Sequence, residues 1–200
     1  CGNGYTIRNC VTRNHRGIGF RLRPGEGIIE NCLMEDIHEG GIVVTPEFQT
    51  FPEGTYARNL VIRNNVLRRT TLTGIWWPTA AMAVSSYQEG RDGWQFVPLP
   101  GGHRNILIEG NRFEENDGPN LFLSSAIGVV VRNNVFQRPM EQYARYGYAD
   151  NSSLVLVTEA EQVAFSGNAI LQPGSFRKRI VNASPTASVT GAQSGFQVKK

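Results

Sequence analysis

One short pattern of apolar and polar positions recurs along the chain. The stretches "YTIRNCVTRN" (5–14), "GIIENCLMED" (27–36), "LVIRNNVLRR" (60–69), "ILIEGNRFEE" (106–115), "VVVRNNVFQR" (129–138) and "VAFSGNAILQ" (163–172) share one order: apolar, any, apolar, any, Asn or Gly, Asn or Cys, any, apolar. The anchor of each copy is Cys10, Cys32, Asn65, Asn111, Asn134 or Asn168, at spacings of 22, 33, 46, 23 and 34. A shortest period of 22–23 with irregular additions is the signature of a solenoid, in which each coil is one repeat and the extra residues leave as loops.

The phase of the pattern predicts strands. Apolar residues occupy anchor −5 and −3, such as Ile106 and Ile108, then anchor +2, filled by Met34, Leu67, Phe113, Phe136 and Ile170. A strand alternates faces with period two, so the shift from odd to even offsets requires a bend at the Asn pair. Asn and Gly tolerate the left-handed torsions of such a corner. A further apolar stretch follows in every copy: "GIGFRL" (17–22), "GIVVT" (41–45), "GIWW" (74–77), "NLFLS" (120–124), "SLVLV" (153–157) and "RIVNA" (179–183). Three short strands per coil, stacked in parallel, predict an all-β chain: a right-handed parallel β-helix of about six to seven coils with three parallel sheets. The coils are expected over 1–184, as the C-terminal part of a longer β-helix, with 185–200 forming a last coil, cap or linker. The 46-residue spacing leaves room for a degenerate coil around "AAMAVSS" (80–86).

Stacked coils also predict columns of equivalent side chains. Anchor −2 reads Arg8, Glu30, Arg63, Glu109, Arg132, Ser166, and the alternating sign suits neighbours about 4.8 Å apart. Cys10 and Cys32 share one column; parallel stacking disfavours the torsion of a disulfide, so both are expected as free, buried thiols.

Composition narrows the class without naming it. No run of about 18 apolar residues exists to cross a membrane as a helix. The net charge of +3 is spread among alternating Arg and Glu rather than gathered in blocks, a poor footprint for nucleic acid. Three cysteines without a CxxC pair leave the redox compartment open. The chain starts at Cys1 and enters strand pattern within a few residues, as expected of a fragment or processed product. Oligomeric state is not addressed by the pattern.

With its Asn ladder at a two-residue turn, the chain resembles the pectin-lyase-like superfamily of right-handed β-helices, which contains polysaccharide lyases, glycoside hydrolases, epimerases and phage tailspikes. More narrowly, "NCVTRNHRGIGFRL", "GIIENCLMEDIHEGGIVVTPEF" and "EGTYARNLVIRNNVL" resemble the later coils of the bacterial α-galactosidases of glycoside hydrolase family 110. The resemblance implies an inverting, metal-independent enzyme acting on terminal α-galactose, secreted, periplasmic or at the bacterial cell surface. It also implies a cleft over the sheet that contains "GIVVT". The paired aspartates associated with catalysis in that family have no counterpart in these 200 residues, so the main acids are expected upstream of Cys1.

Glycosidic cleavage needs two carboxyl groups, one protonated and one ionised, roughly 6.5–9.5 Å apart in inverting enzymes. The candidates are Glu47 and Glu53 on the long loop 45–58, and Asp36 and Asp117 on loops reaching the same sheet from its other side. Each is also the kind of carboxylate any surface loop carries. Trp76 and Trp77 are candidate platforms for a sugar face, or packing beneath the long loop 78–104. Arg21 and His38 complete the substrate-binding candidates. His15, His38 and His103 do not have metal-site spacing, and no cofactor is expected. Calcium enters only with a lyase or epimerase, which must neutralise a uronate and has Arg21 as its local hint. A non-catalytic β-helix for adhesion or carbohydrate binding would need only loops and aromatics.

Overall fold

The computed structural model describes residues 4–23, 25–46, 54–72, 80–86, 101–140, 153–174, 176 and 179–199, together with the backbone of 87–90 and 93–96. Its strands form three parallel sheets wound into a β-helix. The first sheet stacks Tyr5–Arg8, Gly27–Glu30, Arg58–Arg63, His103–Glu109, residues 126–132, residues 163–166 and Val189–Thr190. The second stacks Val11–His15, Leu33–Ile37, Val66–Thr70, Arg112–Glu114, Val135–Gln137, Asn168–Leu171 and Phe196–Lys199. The third stacks Phe20–Leu22, Ile42–Val44, Met82–Val84, residues 121–124, residues 153–157 and Arg179–Ala183. A short antiparallel hairpin, Tyr87–Gly90 with Gly93–Phe96, stands apart.

The corner between the first two sheets is made by two residues with different tasks. The left-handed torsion falls on anchor −1, at Asn9, Asn31, Asn64, Gly110, Asn133 and Gly167, all with φ between 55° and 64°. At Gly110 a β-carbon would lie 2.5 Å from Asn64 Oδ1, so glycine suits both the torsion and the contact. The anchor itself turns inward. Asn65, Asn111, Asn134 and Asn168 are fully buried and pass hydrogen bonds from coil to coil. The amide nitrogens of Asn65, Asn111 and Asn134 donate to the side-chain oxygen of the next anchor at 3.0, 3.1 and 3.0 Å, and the backbone N–H groups do so at 3.0, 2.9 and 3.0 Å. The carbonyls of Ile29, Ile62 and Ile108, just before the corner, each receive an Asn amide.

The core is columnar. Met34, Leu67, Phe113, Phe136 and Ile170 are buried, and the rings of Phe113 and Phe136 stack 4.8 Å apart at 9°. Burying each such side chain contributes about 1.5–3 kcal/mol. Outside, charges alternate in three columns rather than the single one expected. Arg8, Glu30 and Arg63 pair at 3.4 and 2.7 Å, and Glu109 holds Arg132 at 2.7 Å. On the second sheet Glu35 bridges Arg13 and Arg68, and Glu114 bridges Arg68 and Arg112. At the end of that sheet Asp36, Arg69, Glu115 and Arg138 form a third column.

Three expectations need correction. The strand of the third sheet between Ile42–Val44 and residues 121–124 is Met82–Val84, not "GIWW". The 46-residue spacing holds no extra coil, because Arg58–Arg63 pairs directly with His103–Glu109 and Asn65 bonds Asn111. Both errors share a cause: adjacency in the stack is fixed by strand pairing, and an insertion of any length can loop out between two paired strands. Cys10 and Cys32 are both free, but only Cys32 is buried; Cys10 lies in the outermost described coil and is exposed. Burial pushes the Cys32 thiol up.

Candidate functional site at the edge of the third sheet

The third sheet is the one over which a cleft was expected. Ile42, Val44, Met82, Val84, Leu121 and Leu123 point into the core. The alternate residues Val43, Ala83, Phe122 and Leu156 point the other way, yet they are buried too and form a second apolar cluster with Ala80 and Ile18. The outer face is therefore an apolar strip, and its described strand residues include no acid. Chemistry has to come from the edges where the chain enters and leaves the sheet.

The leaving edge is lined by hydroxyls and one histidine. Thr45, Ser85, Ser86, Ser124 and Ser125 are buried, and Ser86 donates to Ser125 at 2.8 Å. His103 is fully buried: its Nδ1 accepts from the Ala57 N–H at 3.0 Å and its Nε2 lies 2.9 Å from the Ser85 carbonyl, which fixes the neutral Nε2–H tautomer. Burial pushes its pKa down to about 4. With both nitrogens engaged by the backbone, His103 joins neighbouring segments rather than offering a base.

The entering edge carries the acids. Asp36 receives a two-pronged contact from Arg69, Nε to Oδ1 at 2.6 Å and a terminal nitrogen to Oδ2 at 2.9 Å. That guanidinium holds its carboxyl below the usual range, so it stays ionised and occupied. Asp117 differs. It is buried, no described residue donates to its carboxyl, and burial pushes its pKa up to about 6. It sits in "NDGPN" (116–120), a segment clamped between coils. Asn116 is inward, accepting from the Thr70 backbone and hydroxyl at 2.8 and 2.9 Å. Asp117 N–H donates to the Thr70 carbonyl, Gly118 N–H to Thr71 Oγ1 at 3.1 Å, and Asn120 N–H to the Leu154 carbonyl at 2.8 Å. The carboxyl is thus held on a fixed backbone in a poorly solvated environment, the condition that raises a carboxyl's pKa toward neutrality.

The other candidates distribute as follows. His38 is half-buried on this same edge, where its N–H donates to the His15 carbonyl. Thr71, one coil on, donates its N–H to the Glu39 carbonyl. Arg21 lies exposed on the outer face, paired in register with Val43. Glu47, Glu53, Trp76 and Trp77 lie outside the described residues. Among the described residues no three of His, Cys, Asp and Glu are gathered as metal ligands.

Residues 1–190 match a family model described as "Right handed beta helix region". The chain belongs to that family. Two curated relatives of this right-handed β-helix, both named alpha-1,3-galactosidase B and both from Phocaeicola vulgatus, are similar to it. One is 32% identical over 130 residues, covering 64% of this chain and 22% of the relative. The other is 30% identical over 142 residues, covering 69% of the chain and 23% of the relative. The chain therefore spans less than a quarter of the length of these relatives, and the resemblance to family 110 galactosidases is carried by β-helix coils.

Sequence reasoning missed two residues of this right-handed β-helix. His103 was noted only as one of three histidines, because a role as a staple depends on which coils its ring lies between. Asn120, fully buried beside Asp117, was read as the first residue of a strand. The run of turn formers in "NDGPN" was the available signal: a turn that rich in Asn, Asp, Gly and Pro places polar side chains at fixed points.

Proposed function

We propose that this chain is part of a carbohydrate-active enzyme that hydrolyses a terminal α-galactosidic bond with inversion, and that Asp117 is the carboxylic acid that protonates the leaving oxygen. The observation that carries the proposal is the Asp117 carboxyl itself: it is buried on a clamped segment, meets no donor from a described residue, and has its pKa pushed up to about 6. Asp36 is held ionised by Arg69 and is suited to structure or to charge, not to proton donation. The names of the relatives supply the bond type.

The reaction needs a second, ionised carboxylate to activate water on the opposite face of the sugar. Glu39 is our first choice. It lies on the same edge, with Thr71 between it and Asp117: Thr71 N–H bonds the Glu39 carbonyl, and Thr71 Oγ1 accepts from Gly118. Two coil rises of about 4.8 Å give a backbone offset near the upper end of the roughly 6.5–9.5 Å that inverting enzymes use. Glu47 and Glu53, which fall between Ile42–Val44 and Arg58–Arg63 in the sequence, are the next candidates. The glycan is the partner, and the chemistry assigned to these residues requires no metal or cofactor.

The test is hydrolysis of α-galactosides by the full-length protein, with and without a chelator, comparing wild type with Asp117→Asn. Turnover that ignores the chelator and collapses in the variant supports the proposal. Unsaturated products from uronate polymers would replace it with a lyase, and binding without turnover would replace it with a carbohydrate-binding role.

A further inference from the structure

Asn120 carries one of the buried side-chain atoms that lack a hydrogen-bond partner among the described residues. The residue is fully buried, its N–H donates to the Leu154 carbonyl at 2.8 Å, and its carbonyl accepts from Met82 N–H at 3.0 Å. Its side-chain nitrogen donates to the Gly118 carbonyl at 3.0 Å, yet its Oδ1 has no hydrogen-bond partner. The orientation of the amide is not arbitrary. Exchanging the two atoms would set an oxygen against the Gly118 carbonyl oxygen, so the nitrogen belongs there and the oxygen is the free end. An acceptor left without a donor in a buried site is destabilising. Such a group calls for a ligand that completes it.

Its position says which ligand. Leu121 and Leu123 face the core and Phe122 faces outward, so by alternation Asn120 lies on the outer side of the third sheet, at the edge that carries Asp117. Two residues, Gly118 and Pro119, separate them, and the Asn120 amide is braced on Gly118. The pair offers an amide oxygen that only accepts and a carboxylic acid that can both donate and accept, beside the apolar strip of Phe122, Ala83 and Val43. We infer that Asn120 is a specificity-determining residue that accepts a hydrogen bond from a hydroxyl of a neutral sugar bound beside Asp117. A hydroxyl can give its proton to Asn120 Oδ1 while the Asp117 proton goes to the glycosidic oxygen of the same sugar. A carboxylate or phosphate cannot donate to Asn120, and an ammonium group cannot accept from Asp117. This inference rests on the proposed function for the identity of the sugar, but the hydrogen-bonding argument is independent of turnover.

Two variants separate recognition from mere bracing. Asn120→Ala removes both the acceptor and the brace to Gly118, whereas Asn120→Asp keeps an acceptor and loses the brace. In the full-length protein, Asn120→Ala should raise KM for an α-galactoside about tenfold or more while kcat falls less, and should erase the preference for the parent sugar over one of its monodeoxy analogues. Asn120→Asp should retain much of that preference. Equal loss in both variants assigns Asn120 to bracing alone and overturns the inference, as does an unchanged KM in Asn120→Ala. If wild type turns over no α-galactoside, the proposed function fails; binding of free galactose followed by ligand-observed NMR then still decides Asn120, by its loss in Asn120→Ala. A terbium or calcium titration covers the remaining chemistry: cation binding that disappears in Asn120→Ala would make the site a metal site and refute the sugar assignment.

Discussion

Replacing Asn111 by alanine should cost more stability than any single exposed substitution in the chain. The Asn111 side chain accepts from the Asn65 backbone N–H and from the Asn65 amide, each at 3.0 Å. It donates to the Ile62 carbonyl at 2.9 Å and to Asn134 Oδ1 at 3.1 Å. Asn134 Oδ1 keeps the Asn111 backbone N–H after the change, so two N–H groups of Asn65 lose their acceptor and the Ile62 carbonyl loses its side-chain donor. All belong to fully buried residues. At about 1–3 kcal/mol for each orphaned group, and allowing for local relaxation, the loss should be about 3–5 kcal/mol. Against a typical total of about 5–15 kcal/mol this is a large fraction. The assay is urea unfolding followed by far-ultraviolet circular dichroism and by hydrodynamic size, since a solenoid can open coil by coil and one probe would hide that. Arg132→Ala, on the exposed charge column, serves as the reference and should cost less than about 1 kcal/mol. An Asn111→Ala loss no larger than that of Arg132→Ala would refute the claim that the ladder fixes the corners.

Other predictions follow from the same geometry. Cys32→Asn should leave stability unchanged or raise it by about 1 kcal/mol, measured by the same titration, because Cys32 Sγ already lies 3.8 Å from the Ile7 carbonyl, the place where the other anchors present an amide. Asp36→Asn should cost about 1 kcal/mol or less, since both partners are about a third exposed, and should leave galactoside turnover intact. The third concerns pH. His103, with its folded pKa lowered to about 4, contributes stability that is present above the unfolded value of 6.5 and is lost as pH falls through 4. Asp117, raised from 3.8 to about 6, does the opposite: its contribution is present below 3.8 and is lost as pH rises through 6. Each amounts to roughly 3 kcal/mol at about 1.4 kcal/mol per unit, so the two nearly offset between about pH 4 and 6. Asp117→Asn should therefore be more stable than wild type at neutral pH and lose stability more steeply on acidification, as read from thermal melts across that window.

The coils were legible because their determinants are local and repeated. Each "RNN" or "EGN" corner announces its own left-handed residue and its own inward Asn, and the Arg8-to-Arg132 alternation confirms the stacking register before any coordinates. The second and third charge columns were equally present in sequence, at Arg13, Glu35, Arg68 and Glu114 and at Asp36, Arg69, Glu115 and Arg138, but the Asn anchor drew the reading to one offset. The strand Met82–Val84 was harder. "MAV" carries no charge column and no Asn, and "GIWW" is the stronger apolar run, so only pairing with Ile42–Val44 decides between them. Asp36 and Asp117 illustrate the limit for the site. Asp36 lies within the second-sheet strand Leu33–Ile37 and Asp117 shortly after Arg112–Glu114, and nothing in their flanking residues says that one faces Arg69 and the other faces no donor among the described residues. That difference arises across coils, 33 residues away in the case of Asp36.

The most direct test of the account is galactose release from a terminal α-galactoside by the full-length protein and its Asp117→Asn variant, with folding of the variant verified by circular dichroism. The account predicts that kcat falls by about a hundredfold or more, the typical contribution of a general acid, with an intact fold. It also predicts that the wild-type alkaline limb, set by ionisation of Asp117, is absent from the residual activity. A variant as active as wild type would contradict it.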